Sequence, residues 1–276
     1  MIKEMKNPYA YIESEVIGII EETPNIKTFH LRPKGDIGFR AGQFMDVTIP
    51  GVGEAPFTPS SNHNAKEKLD FTIMAAGRVT KLLHDAKVGD IVGIRGPYGT
   101  AYPLDKFKSK EVFIVGGGVG LAPLRALLYA LFNDVYDYKK ITLKYGARTP
   151  KDIVYKNEIN LWKERSSHVS TEITTDVGDE TWKGNVGIVT TIVKDLEFDR
   201  ENSVAIVCGP PIMMKFVTFK LLDLGFKDNT IYLSMEKNMS CGIGKCGHCR
   251  IGPYYACKDG PVFTYDKIRD LPNIWD

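Results

Sequence analysis

Three observations predict two joined folds with an appendage: an N-terminal antiparallel β barrel, a doubly wound parallel-sheet α/β domain, and a small C-terminal segment built on cysteines. Short β-rich runs broken by Pro and Gly fill the chain from Tyr9 to Pro97, strands then alternate with helices, and four of the five cysteines fall between Ser240 and Cys257. At 276 residues the chain is too long for one small core and suits two domains plus an appendage. The expected division is 8–104, 105–230 and 231–276.

Composition narrows the function classes. Hydrophobic residues at 43% and charged residues at 25% are ordinary for a soluble globular protein. The formal net charge of +2 conceals no long basic or acidic block, so no nucleic acid partner is expected. No membrane partner is expected either. The longest apolar run, LRALLYALF from Leu124 to Phe132, is interrupted by Arg125 and falls far short of the roughly 20 residues of a span. The start, MIKEMKNPYAYIESE, lacks the apolar core of a signal peptide, so a reducing cytoplasm is the expected compartment, which argues against structural disulfides.

The barrel is predicted from AYIESEVIGIIEE, IKTFHLRP, GQFMDVTIP, LDFTIMAAG and DIVGIRGP, strands at the spacing of a small antiparallel fold. One helix, VTKLLHDA, is expected just after Gly77. PFTPSS, from Pro56 to Ser61, and GRVTKLL, from Gly77, read as breaks between strands. A helix start at Gly77 to Thr80 offers backbone donors to a phosphate, although ordinary loop composition explains both stretches equally well.

After Lys108 the pattern changes. EVFIVGGGVGLAPLRALLYALF is a buried strand, a glycine turn and a helix, ITLKYGAR is a second strand, DIVYKNEINLWKER is amphipathic, and SVAIVCGPPIMMKFVTFKLLDLG repeats strand, turn and helix. This alternation implies a parallel sheet covered on both faces. The turn from Gly116 to Pro123 lets backbone N–H groups approach a pyrophosphate in front of a helix N-terminus. The acidic residue usual about 20 positions on is missing, and Arg148 stands where it would meet a 2'-phosphate instead. Cys208, followed by Gly209 and Pro210, ends another strand at the sheet edge where such folds bind ligands. A plain buried thiol is the alternative reading of Cys208.

The cysteine spacing carries the most information. Cys241, Cys246, Cys249 and Cys257 follow one another with gaps of four, two and seven residues, and glycines lie between them. Zinc in a tetrahedral site and iron in an iron-sulfur cluster both take four close thiolates. Zinc ribbons usually pair two short Cys-x2-Cys knuckles, whereas Cys-x4-Cys-x2-Cys is the spacing of plant-type 2Fe-2S sites. The short final gap departs from plant ferredoxins. His248, inside the loop, is expected at the surface and not as a ligand.

NPYA at 7–10, PGVGEAPF at 50–57, GRVT at 77–80, RGPYG at 95–99, CGPPIMM at 208–214, CGIGKCGHC and CKDGPVF together resemble the ferredoxin-NADP reductase superfamily, in its branch with a C-terminal 2Fe-2S cluster. The likeness covers nearly the whole chain. It is nearest to sulfhydrogenase gamma subunits and to the corresponding chain of anaerobic sulfite reductases, and more distant to the electron-transfer subunit of dihydroorotate dehydrogenase. The resemblance implies FAD on the barrel, NAD(P)H on the α/β domain and a 2Fe-2S cluster on Cys241, Cys246, Cys249 and Cys257. Pro56, Phe57 and Thr58 would lie along the isoalloxazine, with the Thr58 hydroxyl facing N5, and Gly77, Val79 and Thr80 would hold the pyrophosphate. Gly117, Gly118, Gly120, Pro123, Cys208, Gly209 and Pro210 would line the nicotinamide dinucleotide. The arginine that many relatives place before the flavin is replaced by Ala55, and Met74 and Ala75 stand where related gamma subunits have arginines.

The implied function is that of a diaphorase subunit exchanging electrons with the catalytic subunits of a larger redox complex, of hydrogenase or sulfite reductase type. A self-sufficient reductase of a diffusible acceptor such as ferredoxin is one alternative. A non-enzymatic, zinc-binding, nucleotide-regulated module is the other.

Overall fold

The computed structural model describes residues 7–65, 67–194 and 197–275; Lys66, Asp195, Leu196 and Asp276 fall within the expected domains but outside the described residues. Strands β1 (Ile12–Thr23), β2 (Ile26–Pro33), β3 (Phe44–Ile49), β4 (Gly53–Phe57), β5 (Leu69–Met74) and β6 (Ile91–Tyr98) form a six-stranded antiparallel sheet in the order β4-β3-β6-β1-β2-β5. Alternating side chains turn Val16, Phe29, Leu31, Met45, Val47, Phe71, Ile73 and Ile94 inward. Helix α1 (Arg78–His84) follows β5 and lies beside β4.

β4 has no counterpart in the sequence reading, which takes Pro56 as the start of a break. Pro56 pairs with Asp46 in the register of β3, at the sheet edge, where a missing N–H costs no ladder bond.

The second sheet is assembled from β7 (Glu111–Gly117), β8 (Lys140–Ala147), β9 (Val169–Thr175), β10 (Asn185–Val186), β11 (Ser203–Cys208), β12 (Ile231–Ser234) and, near the C-terminus, Val262–Thr264. Its first six strands run parallel, and Val262–Thr264 is antiparallel to β12. β7 and β11 are buried almost end to end, as strands covered on both faces must be. Helix α2 (Leu121–Asn133) packs with Val112 and Ile114 on one face, together with α3 (Lys156–Trp162), while α4 (Pro211–Leu224) packs with Phe113 and Val115 on the other. β9 escaped the sequence reading because its polar run, VSTEITT, is only partly buried.

One hydrophobic core runs from Phe29, Met45 and Phe71 in the barrel to Ile114, Leu127 and Trp162 behind the parallel sheet. The cysteine loop is an excursion from this sheet. It leaves after β12, forms the hairpin β13 (Arg250–Ile251) and β14 (Tyr254–Tyr255), and returns as β15 (Val262–Thr264) before α5 (Tyr265–Ile268). β12, inside the segment expected at 231–276, pairs with β11 and so ties that segment to the sheet, and Cys249 and Cys257 share a core with Phe44 of the barrel.

Candidate functional site

The C-terminal ends of β7, β8, β9 and β11 open onto a pocket of about 430 Å³ lined by Gly117, Gly118, Arg148, Asp176, Ile188, Pro210, Ile212 and Phe216 among others. This is the sheet edge where open α/β folds take ligands. The turn glycines have different reasons to be glycine. A Cβ on Gly120 would meet Gly209 Cα at 2.6 Å and Cys208 O at 2.7 Å, so Gly120 lets the two strand-helix turns touch. Gly118, at φ +54° and with no heavy atom within 4 Å of an added Cβ, is the one that leaves open room at the pocket. Pro123 is half-buried in the first turns of α2 and is not among the lining residues. Arg148 is exposed, as the sequence places it, but the same pocket also holds an acid, Asp176, delivered by the end of β9. The sequence reading missed that acid because it missed the strand.

Cys208 is buried at the end of β11, and burial pushes its thiol up to about 12. It is therefore a neutral thiol that moves no proton near neutral pH. Ser234, at the end of β12, is its hydrogen-bonding neighbour, and the Glu236 charge acts in the same direction as burial. Tyr102, from the segment after β6, reaches this cluster from the barrel side; its buried hydroxyl lies near Ser234 but makes no well-aligned hydrogen bond. A buried orphan hydroxyl where barrel meets sheet fits a site completed by a bound group. Tyr102, Ser234 and Glu236 carry no sequence motif of their own and became visible only on folding.

On the barrel, Pro56 and Phe57 end β4 half-buried, Thr58 follows half-buried, and Val79 packs over β4, 3.5 Å from where a Cβ on Gly53 would sit. The structure thus brings both predicted stretches together. The amides of Ala76 and Gly77 donate to Thr80 Oγ1 at 2.9 and 2.8 Å, so the Gly77 N–H is committed and the donors left in the first turn are those of Arg78, Val79 and Thr80.

Around the cysteines, backbone N–H groups point at sulfur. Lys245 and Cys246 donate to Cys241 Sγ at 3.3 and 3.4 Å, and Gly244 donates to Cys257 Sγ at 3.1 Å. Glycines at φ +69° (Gly242), +72° (Gly244) and +85° (Gly247) bend the loop so that these amides turn inward. Burial opposes ionisation of Cys241, but amides from Cys246, Ile243 and Lys245 outweigh it and bring the thiol down to about 6. Cys257 is pushed up by burial and by Cys249, whose sulfur is 3.2 Å away. The sulfurs fall into two pairs, Cys241 with Cys246 and Cys249 with Cys257. Among the described residues, no three ligating side chains converge as a single-ion site would require. His248 is exposed, with Nδ1 2.7 Å from Ser240 Oγ.

Two buried arginines hold these parts in place. Arg95 of β6, with its side chain 2% exposed, reaches Glu54 of β4 through Nε at 2.7 Å and through Nη2, and donates from Nη1 to Cys241 O at 2.9 Å and Tyr98 Oη at 3.0 Å. Arg125 of α2 donates from Nη1 to Ser60 O at 3.1 Å and to Asp70 Oδ2 at 3.2 Å, both in the barrel, and from Nη2 to Glu158 of α3 at 2.6 Å. The first joins barrel to cysteine loop, and the second joins barrel to nucleotide sheet.

A barrel, a parallel sheet with a pocket at the C-terminal ends of its strands, and a four-thiolate loop define an oxidoreductase with the ferredoxin-reductase fold and an added iron-sulfur segment. Residues 15–102 match an oxidoreductase FAD-binding domain, 114–218 an oxidoreductase NAD-binding domain, and 236–269 the iron-sulfur cluster binding domain of dihydroorotate dehydrogenase B. The chain belongs to the family of sulfhydrogenase gamma subunits and dihydroorotate dehydrogenase B electron-transfer subunits. It is 38% identical to sulfhydrogenase 2 subunit gamma of Pyrococcus furiosus over 94% of this chain and 96% of that one. It is 36% identical to the probable dihydroorotate dehydrogenase B electron transfer subunit of Methanocaldococcus jannaschii over 91% and 88%. Among solved structures it resembles an NADH-dependent reduced ferredoxin-NADP oxidoreductase, studied for flavin-based electron bifurcation, at a TM-score of 0.75 and 26% identity, covering 96% of this chain and 93% of that one. The zinc-module alternative is thereby corrected, since the cysteines belong to an iron-sulfur domain. Among the described residues no helix is long and apolar enough to cross a membrane.

Proposed function

We propose that the chain is the electron-transfer subunit of a larger redox complex, moving electrons between NAD(P)H, FAD and a 2Fe-2S cluster, and on to or from a catalytic partner of hydrogenase or sulfite reductase type. A flavin exchanges hydride with a nicotinamide and single electrons with an iron-sulfur cluster, so it belongs between them. The observation that carries the reading is Arg95, which grips both Glu54, two residues before the flavin stretch Pro56–Thr58, and the carbonyl of Cys241. This contact supports placing the flavin stretch beside the cluster loop.

In this reading Pro56, Phe57 and Thr58 position the flavin ring, the first turn of α1 with Gly77, Val79 and Thr80 receives its pyrophosphate, and Gly117, Gly118, Gly120 and Pro123 shape the nucleotide turn. Cys208, Gly209 and Pro210 wall the nicotinamide end, where a neutral thiol packs and excludes water. Arg148 and Asp176 face the ribose-phosphate end with opposite charges and set the preference between NADH and NADPH. Cys241, Cys246, Cys249 and Cys257 hold the cluster. Their division into two pairs, 3.2 Å apart in the case of Cys249 and Cys257, supports two irons over one.

Replacing Cys249 by Ser removes a buried ligand and leaves Pro56–Thr58, α1 and the lining of the nucleotide pocket unaltered. The expected result is loss of the cluster's visible absorbance and of electron transfer to the partner, with NAD(P)H reduction of a two-electron dye retained. If dye reduction and partner reduction fall together, the separate roles assigned here are wrong.

A further inference from the structure

We propose that the catalytic partner docks on a basic rim around Cys246, formed by Lys245, Arg250 and Lys258, and that it presents carboxylates to that rim. The inference rests on the electron-transfer reading above and names the face and the chemistry of the contact. Of the four ligand thiols, Cys241, Cys249 and Cys257 are buried and only Cys246 is exposed. Electron exchange falls off steeply with distance, so a partner must approach on the Cys246 side. That side is unobstructed, since Gly247 at φ +85° has no heavy atom within 4 Å of an added Cβ.

Charge along this loop is one-sided. From Ser240 to Lys258 the sequence contains Lys245, Arg250 and Lys258 and no Asp or Glu, in a chain whose net charge is only +2. All three cations are exposed. Among the described residues none of the three has a carboxylate within ion-pair distance. Arg250 donates to the neutral carbonyl of Gly252, and the Lys258 stem lies against Gly244, 3.2 Å from an added Cβ. The next acid, Asp259, accepts the Tyr255 amide at 2.8 Å. Some other surface cations do pair, as in Lys34 with Glu13, Lys139 with Asp199 and Lys227 with Glu201. Unpaired cations on the loop that carries the exposed ligand complement an acidic surface, and such complementarity acts mainly on association rate and register. The competing explanation is that the lysines offset the negative charge of the thiolates and have no role in docking.

Two measurements decide between these. In the intact complex, a carbodiimide should couple Lys245 or Lys258 to partner carboxylates, and both amines should resist acetylation relative to the free chain. Equal acetylation in complex and free chain overturns the proposal. In the cofactor-loaded chain, the one-electron transfer that Cys249→Ser abolishes should favour anionic ferricyanide over cationic hexaammineruthenium(III) at low salt. The double variant Lys245→Glu, Lys258→Glu should shift that preference by about tenfold or more, with the difference fading at high salt. Flavin reduction by NAD(P)H and the cluster spectrum should stay unchanged. If both acceptors slow equally, the lysines serve the cluster and the docking face is elsewhere. If the unaltered chain shows no cluster-dependent transfer at all, the electron-transfer reading itself fails, and the docking face with it.

Discussion

Arg95 and Arg125 are both buried arginines that fasten the barrel to a neighbour, yet the carboxylates beside them are left in opposite states. Asp70, next to Arg125, lies deep in the barrel. Burial works to raise its pKa, but a His30 hydrogen bond at 2.6 Å, with Lys68 and Arg125 behind it, outweighs burial and holds the carboxyl below the usual range. Asp46, next to Arg95, is equally buried but has one cation, and shares it. Arg95 Nη2 comes within 2.8 Å of Asp46 Oδ2, but its N–H groups are aimed at Glu54 and the Ser240 carbonyl, so that oxygen accepts no hydrogen bond. Burial therefore dominates and, with Glu54 and Cys241 adding to it against Arg95, raises Asp46 to about 6. The number of partners, and not depth, separates a locked joint from a yielding one.

The nucleotide joint is thus the stiffer of the two. Arg125 also stacks on Tyr155 at 4.7 Å and Tyr129 at 5.0 Å, and Tyr155 Oη donates to Thr72 at 2.5 Å within the barrel. Hydride transfer demands a fixed distance and angle, whereas electron tunnelling tolerates small displacements. The stiffer joint therefore serves the geometrically stricter step.

The largest expected effect comes from breaking the locked joint. Arg125→Met removes the link from α2 to Ser60 and Asp70 of the barrel together with its stacking on Tyr155 and Tyr129, and should cost about 3–5 kcal/mol in unfolding free energy, measured by chemical denaturation, with slowed flavin reduction by NAD(P)H. Arg95→Met should cost less, about 2 kcal/mol, because Asp46 takes up a proton near neutral pH. Its signature should be faster loss of the cluster to a chelator, with dye reduction by NAD(P)H retained. If Arg95→Met proves the more destabilising of the two, the comparison is reversed.

Smaller effects sharpen the contrast. Asp46→Asn should stabilise the protein by about 1 kcal/mol at pH 7, since it removes a buried charge that its surroundings disfavour. The two carboxylates also predict opposite pH responses. Asp46 has a folded pKa above its unfolded one. Its penalty is fully present above about pH 6, relaxes as pH falls from there toward about 4, and should vanish from the profile of Asp46→Asn. Asp70 has a folded pKa below its unfolded one, so its contribution is present above about pH 4 and is lost as pH falls further. Denaturation midpoints followed across pH in Asp46→Asn and Asp70→Asn should separate the two windows.

The barrel strands, the two strand-turn-helix repeats and the ligand loop were legible in the sequence because local period and spacing decide them. Alternation sets a half-buried strand, a glycine turn sets a strand-to-helix reversal, and gaps of four, two and seven residues set the loop on which four thiolates can gather. The edge strand β4 and the inner strand β9 were not legible, for one contains Pro56 and the other is a polar, only partly buried run. Asp176 was missed along with β9. Arg125 was visible as a charge within an apolar helix, a signal that a buried partner must exist, but nothing local could name Asp70, 55 residues away.

What the sequence determined by itself is the set of local chemistries: a phosphate-type turn, a flavin-type barrel stretch and a thiolate loop. Only the tertiary structure decided how they join. Arg95 meets Cys241 O across 146 residues, Tyr102 reaches the Cys208 and Ser234 end of the sheet, and Cys246 alone among the thiols is left facing solvent. The physical reason is that burial and charge pairing depend on which surfaces meet when a chain closes on itself, and those meetings leave no mark in the spacing of neighbouring residues.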